Sequence, residues 1–240
     1  MRQCYWRTRV SSTVMFTSLF FLKVTIAPVI VLSVSYLQRR FGDRFGGWLI
    51  GLPITTGPFI LIIAIQEGVA FAGRTTHGVL LGQIALIAFC WSYSFAALRS
   101  SWFPAVLVGT LVCLSTGYVV TTVKVPVIYS DLFLIGIWLV AMRWWPRTDL
   151  PNQKIATPKW ELPVRILVTL TILISLSALA PHVGAKVAGA LSTYPVIASV
   201  LGAFNQRRFG PGATVATLRG LMQTLPITMA IIFFLGLVLR

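Results

Sequence analysis

The sequence predicts an all-α, polytopic membrane protein of about eight transmembrane helices, ordered as an inverted internal repeat of three, two and three. Three observations predict it. Of the 240 residues, 57% are apolar and 10% charged, and the mean hydropathy is +0.86, outside the balance of a soluble domain. Apolar runs recur at the length of a bilayer span, about 20 residues. The segment 42–78 also aligns without a gap to 184–220.

The first span is read at 17–38. The apolar run from Val14 to Leu37 is too long for a signal-peptide core, lacks a small-x-small cleavage site and stops at Arg39 and Arg40. Met15 is an alternative start, which would remove Arg2, Arg7 and Arg9. Span two, 48–66, opens at Trp48 and is interrupted by Leu52-Pro53-Ile54-Thr55-Thr56-Gly57-Pro58. Span three covers 76–98, span four opens at Trp102 and covers 102–123, and span five, 127–145, closes on Trp144 and Trp145. Segment 146–162, with three prolines and charges of both signs, is an aqueous linker. Trp160 precedes span six at 163–181; spans seven and eight follow at 185–204 and 214–238. Tryptophans at span ends are interfacial anchors.

The whole chain, 1–240, thus reads as a single integral membrane domain: repeat one over 17–98, a helical hairpin over 102–145, a cytoplasmic linker over 146–162 and repeat two over 163–240. Small-residue pairs at Gly42/Gly46, Gly47/Gly51 and Gly78/Gly82 let helix backbones approach closely in lipid. They also make a homodimer plausible.

In the repeat, Gly42/Gly184, Gly47/Gly189, Leu49/Leu191, Pro53/Pro195, Gly68/Gly210, Thr75/Thr217 and Gly78/Gly220 coincide. His77 faces Arg219 as a conservative pair. Most of the identities are Gly or Pro, the residues that fix backbone geometry. Spans one and six are an odd number of crossings apart, so the repeats run in opposite directions.

The net charge of +15, from 20 Lys+Arg against 5 Asp+Glu, is read as topology control, because the charges sit singly or in pairs between apolar runs. Nucleic acid is not expected as a partner; the lipid bilayer and a small solute are. Arg39, Arg40, Arg44, Arg99, Arg143, Arg147, Lys154, Lys159, Arg165, Arg207 and Arg208 fall in loops of one parity. That parity is assigned to the cytoplasm, which puts both termini outside.

Cys4, Cys90 and Cys113 have no ligand spacing, and there is no phosphate loop, HExxH, GxSxG elbow or Rossmann fingerprint. No cofactor, metal site or catalytic residue is expected, and the chain is not read as an enzyme. The interruptions carry the candidate site instead. Pro53 and Pro58 each remove a backbone donor and Gly57 loosens the chain, while Tyr194-Pro195 is the matched interruption in span seven. Paired breaks in inverted repeats point to a transporter's central site. On this reading Pro53, Thr55, Thr56, Gly57, Pro58, Tyr194 and Pro195 line a substrate path; the alternative is a pair of proline kinks. Asp131, Glu67 and Arg219 are possible coupling or charge sites, with interfacial positions as the alternative.

The phrase GGWLIGLPITTGPFILIIAIQEGVAFA resembles a pattern in small, mostly uncharacterised, permease-like bacterial inner-membrane proteins with a Gly-Gly-x-Leu then Leu-Pro signature. Its motif residues correspond here to Gly46, Gly47 and Pro53, with Ala188 replacing the first glycine in the second repeat. The resemblance implies a bacterial cytoplasmic membrane protein. The expected function is a small secondary transporter or permease. The alternative is a non-transporting membrane subunit or assembly factor of a larger complex.

Overall fold

A computed structural model describes residues 28–38, 40–53, 68–122, 127–148, 160–179, 182 and 194–238. Among these the chain forms α-helices and no strands. They are α1 (Pro28–Gln38), α2 (Asp43–Gly51), α3 (Val69–Ala97), α4 (Trp102–Thr122), α5 (Val127–Arg143), α6 (Glu161–Leu179), α7 (Val196–Phe209) and α8 (Pro211–Val238). Three of them hold stretches long and apolar enough to cross a membrane: Gly78–Ala97 in α3, Trp102–Thr122 and Pro211–Val238.

Glycine conformation starts three of the helices. Gly42, Gly68 and Gly210 have φ of 95°, 89° and 87°, a region that side-chain-bearing residues rarely adopt. They stand immediately before α2, α3 and α8. Gly68 and Gly210 are partners in the sequence alignment and share ψ as well, 162° and 177°. Helix α3 therefore begins at Val69 rather than at 76, and α8 at Pro211 rather than at 214. A hydropathy window does not sense such a turn. For the same reason the helix of span seven begins after Pro195 and continues past 204, through Arg207 and Arg208, until Gly210 ends it.

Helix α8 is the central post. Helix α2 lies on it backbone to backbone: a Cβ on Gly47 would come within 1.8 Å of the Thr217 carbonyl oxygen, and one on Gly220 within 2.1 Å of that of Arg44. On another side α8 packs antiparallel to α3, whose early residue Thr76 meets Gly236 near the end of α8. Helices α3 and α4 form a hairpin closed by the turn Leu98–Ser101. The buried stripe Ala105, Gly109, Cys113 and Gly117 faces inward from α4 at four-residue spacing, the small-residue seam that helices use in lipid.

Pro226 lies inside α8 and cannot donate to the carbonyl four residues back, that of Met222. The Trp138 indole N–H of α5 donates to that oxygen at 2.7 Å. A carbonyl opened by proline is thereby satisfied from a neighbouring helix, as a membrane interior demands.

Four connections gather at one end. Gln206 of α7 donates to the carbonyls of Ala97 and Ser100 in the α3–α4 turn, at 3.1 and 2.9 Å, and Arg207 stacks over Trp102. Glu161 at the head of α6 pairs with Arg208 at the end of α7. Arg165 reaches Ser35 in α1. Arg99, Arg207 and Arg208 thus share one end of the bundle, with Arg165 one turn further into α6. Arg165, counted among the loop cations although it falls within the span expected at 163–181, lies within α6 and is buried. A guanidinium close to a span end looks like a loop cation in a linear reading.

Candidate functional site

Helix α2 stops at Gly51, and Leu52 is extended with φ −70° and ψ 148°; Pro53, which follows, is half-buried. The alignment partners of Leu52 and Pro53 are Tyr194 and Pro195, and these too are non-helical, directly before α7. Thr55, Thr56, Gly57, Pro58 and Glu67 lie outside the described residues. The backbone of Asp131 falls in the second turn of α5.

The first break leaves α2 with carbonyls that its own helix cannot satisfy. Thr224 donates to the Trp48 carbonyl at 3.1 Å and Thr228 to that of Gly51 at 2.5 Å. At the second break, Ser199 N–H donates to the Pro195 carbonyl at 2.9 Å as α7 begins. The Trp48, Gly51 and Pro195 carbonyls therefore face protein donors. The side chain left with chemistry to offer is Tyr194. Its hydroxyl and that of Thr110 in α4 are 3.0 Å apart, and its ring meets Phe89 of α3 edge-on, with centroids 6.0 Å apart.

Thr110 and Phe89 each stand eight positions inside their helices from the α3–α4 turn, which is about 12 Å at helical rise. Tyr194 therefore sits well inside the bundle, near the middle of the length of α4. Beside it, Tyr93 is wholly buried against Gly202 of α7, and its hydroxyl has no hydrogen-bond partner among the described residues.

Arg219 is half-buried in the third turn of α8. Its Nε is enclosed without a hydrogen-bond partner among the described residues. Among the described residues no hydrogen bond or ion pair joins Pro53, Tyr194 and Arg219.

A second polar cluster was not visible in the sequence. Glu161 bridges Arg165 and Arg208, and Arg165 also donates to Ser35 at 3.4 Å and to Asn205 at 3.2 Å. The Asn205 amide donates to Thr217 at 2.9 Å, and Gln38 donates to the same hydroxyl at 3.3 Å. Glu161 and Arg165 are 3% and 4% exposed, so a pair that would contribute little at a surface is here fully inside. Burial pushes the Asp43 carboxyl up from 3.8 to about 6, with the Arg165 guanidinium pulling it back down. The one sequence signal for this cluster was Thr217, an identity of the repeat; the charges themselves resembled linker cations.

Among the described residues no group of three or more His, Cys, Asp or Glu side chains could hold a metal. No protein family, curated protein or solved structure matches the chain.

Proposed function

We propose that this chain is a small secondary transporter, or permease, that moves a small solute across the bacterial cytoplasmic membrane by alternating access. It would cross the membrane about eight times as two inverted repeats around a hairpin, with both termini outside and the linker 146–162 in the cytoplasm. The carrying observation is the pair of matched breaks, Leu52-Pro53 and Tyr194-Pro195, with the Tyr194 hydroxyl on Thr110 inside the bundle. Two further features support the reading. Gly68 and Gly210, at equivalent positions, have the same backbone conformation, and the helices they start, α3 and α8, run antiparallel, as inverted partners must. Arg99, Arg207 and Arg208, grouped at one end, support a cytoplasmic placement of that end under the positive-inside rule.

The experiment replaces Cys4, Cys90 and Cys113 with serine and introduces single cysteines at Arg40 and at Val183. A membrane-impermeant maleimide on intact and permeabilised cells is expected to label the two from opposite sides. Labelling from one side ends the inverted-repeat reading. A cysteine at Tyr194 then tests access: the transporter reading requires it to react from both faces, and protection from both ends it. Co-purification of a stoichiometric partner protein would instead favour a non-transporting subunit.

A further inference from the structure

A groove of about 650 Å³ runs between α3 and α5. Ile84 and Trp91 of α3, Leu132, Gly136 and Val140 of α5 and Trp144 just beyond it are among its walls, and every described lining residue is apolar or aromatic. Its floor is shut, since Ile84 and Ile87 are almost fully buried, whereas Leu132, Val140 and Trp144 form exposed rims. From Leu132 to Trp144 the helix rises about 18 Å, close to the depth of one leaflet in a core about 30 Å thick. Gly136 keeps the channel open: a Cβ there would meet nothing within 4 Å.

Charge marks one end of this groove. Arg143 stands three positions after Val140 and seven after Gly136, which on an α-helix continues the same face, and it is exposed. Arg147 beyond it and Arg99, in the turn that ends α3, are exposed as well. The sequences 68–130 and 132–148 contain no Asp or Glu. An apolar channel of leaflet depth, rimmed by indoles and followed at one end by exposed arginines, matches one amphiphile class: a long acyl chain bearing an anionic headgroup.

We propose that the α3/α5 groove is a binding site for an anionic phospholipid, with an acyl chain along Gly136 and the headgroup phosphate on Arg143 and Arg147. The proposal does not depend on transport. It is tested on the purified full chain in detergent, by native mass spectrometry and thermal melting with dioleoyl phosphatidylglycerol, dioleoyl phosphatidylcholine or inorganic phosphate. Phosphatidylglycerol alone should persist as a stoichiometric adduct and raise the melting temperature. Replacing Arg143 and Arg147 together with Gln should weaken it by on the order of tenfold. Gly136→Leu, which has room for its side chain, should lose the adduct while the lipid-free melting temperature stays unchanged. Equal retention of both lipids, an undiminished adduct in Gly136→Leu, or the same shift with inorganic phosphate would each overturn the assignment.

Discussion

The α2–α8 and α3–α4 seams both rely on glycine, but for different neighbours. At Gly47 and Gly220 the missing Cβ makes room for backbone: the Thr217 and Arg44 carbonyl oxygens would lie 1.8 and 2.1 Å from it. At Gly109 the space is taken by side chains, with Tyr93 Cβ at 2.9 Å and the Phe89 ring at 3.2 Å. Overlaps that deep with backbone are relieved only by moving a whole helix, whereas at Gly109 a shift of a few tenths of an ångström at Tyr93 Cβ and a turn of the Phe89 ring suffice. The α2–α8 contact is therefore the rigid joint of the molecule, reinforced by hydrogen bonds from Thr224 and Thr228 to the end of α2, and α3–α4 is the adaptable one.

The sharpest way to break this contrast is a single methyl group. Gly47→Ala or Gly220→Ala should destabilise the protein by more than about 4 kcal/mol, the range of severe overpacking and strain. Gly109→Ala should cost only about 1–3 kcal/mol, as in ordinary overpacked cores. Melting of the purified variants in one detergent measures both, and equal losses would remove the distinction.

Next in size is Glu161→Gln, which leaves Arg165 and Arg208 enclosed without the carboxylate they share. A loss of about 3–5 kcal/mol is expected, and a loss below about 1 kcal/mol in the same assay would mean that water reaches the cluster. Thr228→Val removes one hydroxyl donor from the rigid joint and should cost about 0.6–1.7 kcal/mol. A double-mutant cycle with Thr224→Val should be non-additive, because both hydroxyls serve carbonyls in the last turn of α2.

The smallest effect concerns pH. Asp43 holds its proton up to about 6 in the folded protein, against 3.8 ordinarily. Its contribution to stability is thus complete below 3.8 and lost as the pH rises through about 6. Melting temperatures of the wild type should fall across that window. The Asp43→Asn variant should lack this component, and an unchanged slope would reassign the titration to another group.

Much of this architecture was legible because glycine and proline report backbone geometry directly. The repeat identities Gly68 and Gly210 are the positive-φ turns, and Gly47, Thr217 and Gly220 are the residues at the closest helix approach. The expected boundaries of spans four and five, 102–123 and 127–145, lie within two residues of Trp102–Thr122 and Val127–Arg143. What could not be read was pairing across the fold. Nothing in a linear pattern says that Glu161 meets Arg208, or that Thr224 and Thr228 close the carbonyls exposed by the Leu52-Pro53 break. The start of α7 directly after Pro195 coincides with the interruption that Tyr194-Pro195 marks in the sequence.

The indole of Trp138 on the Met222 carbonyl has a further consequence. The carbonyl that Pro226 leaves without its helical donor is held by a group on α5, so α5 acts as a splint at the proline inside α8. Any lateral shift of α5 must either carry α8 with it or release a bare carbonyl into an oily interior. A ligand seated against α5 could thus change the angle of α8 with no contact to α8 itself, and the Trp138 fluorescence would record the displacement.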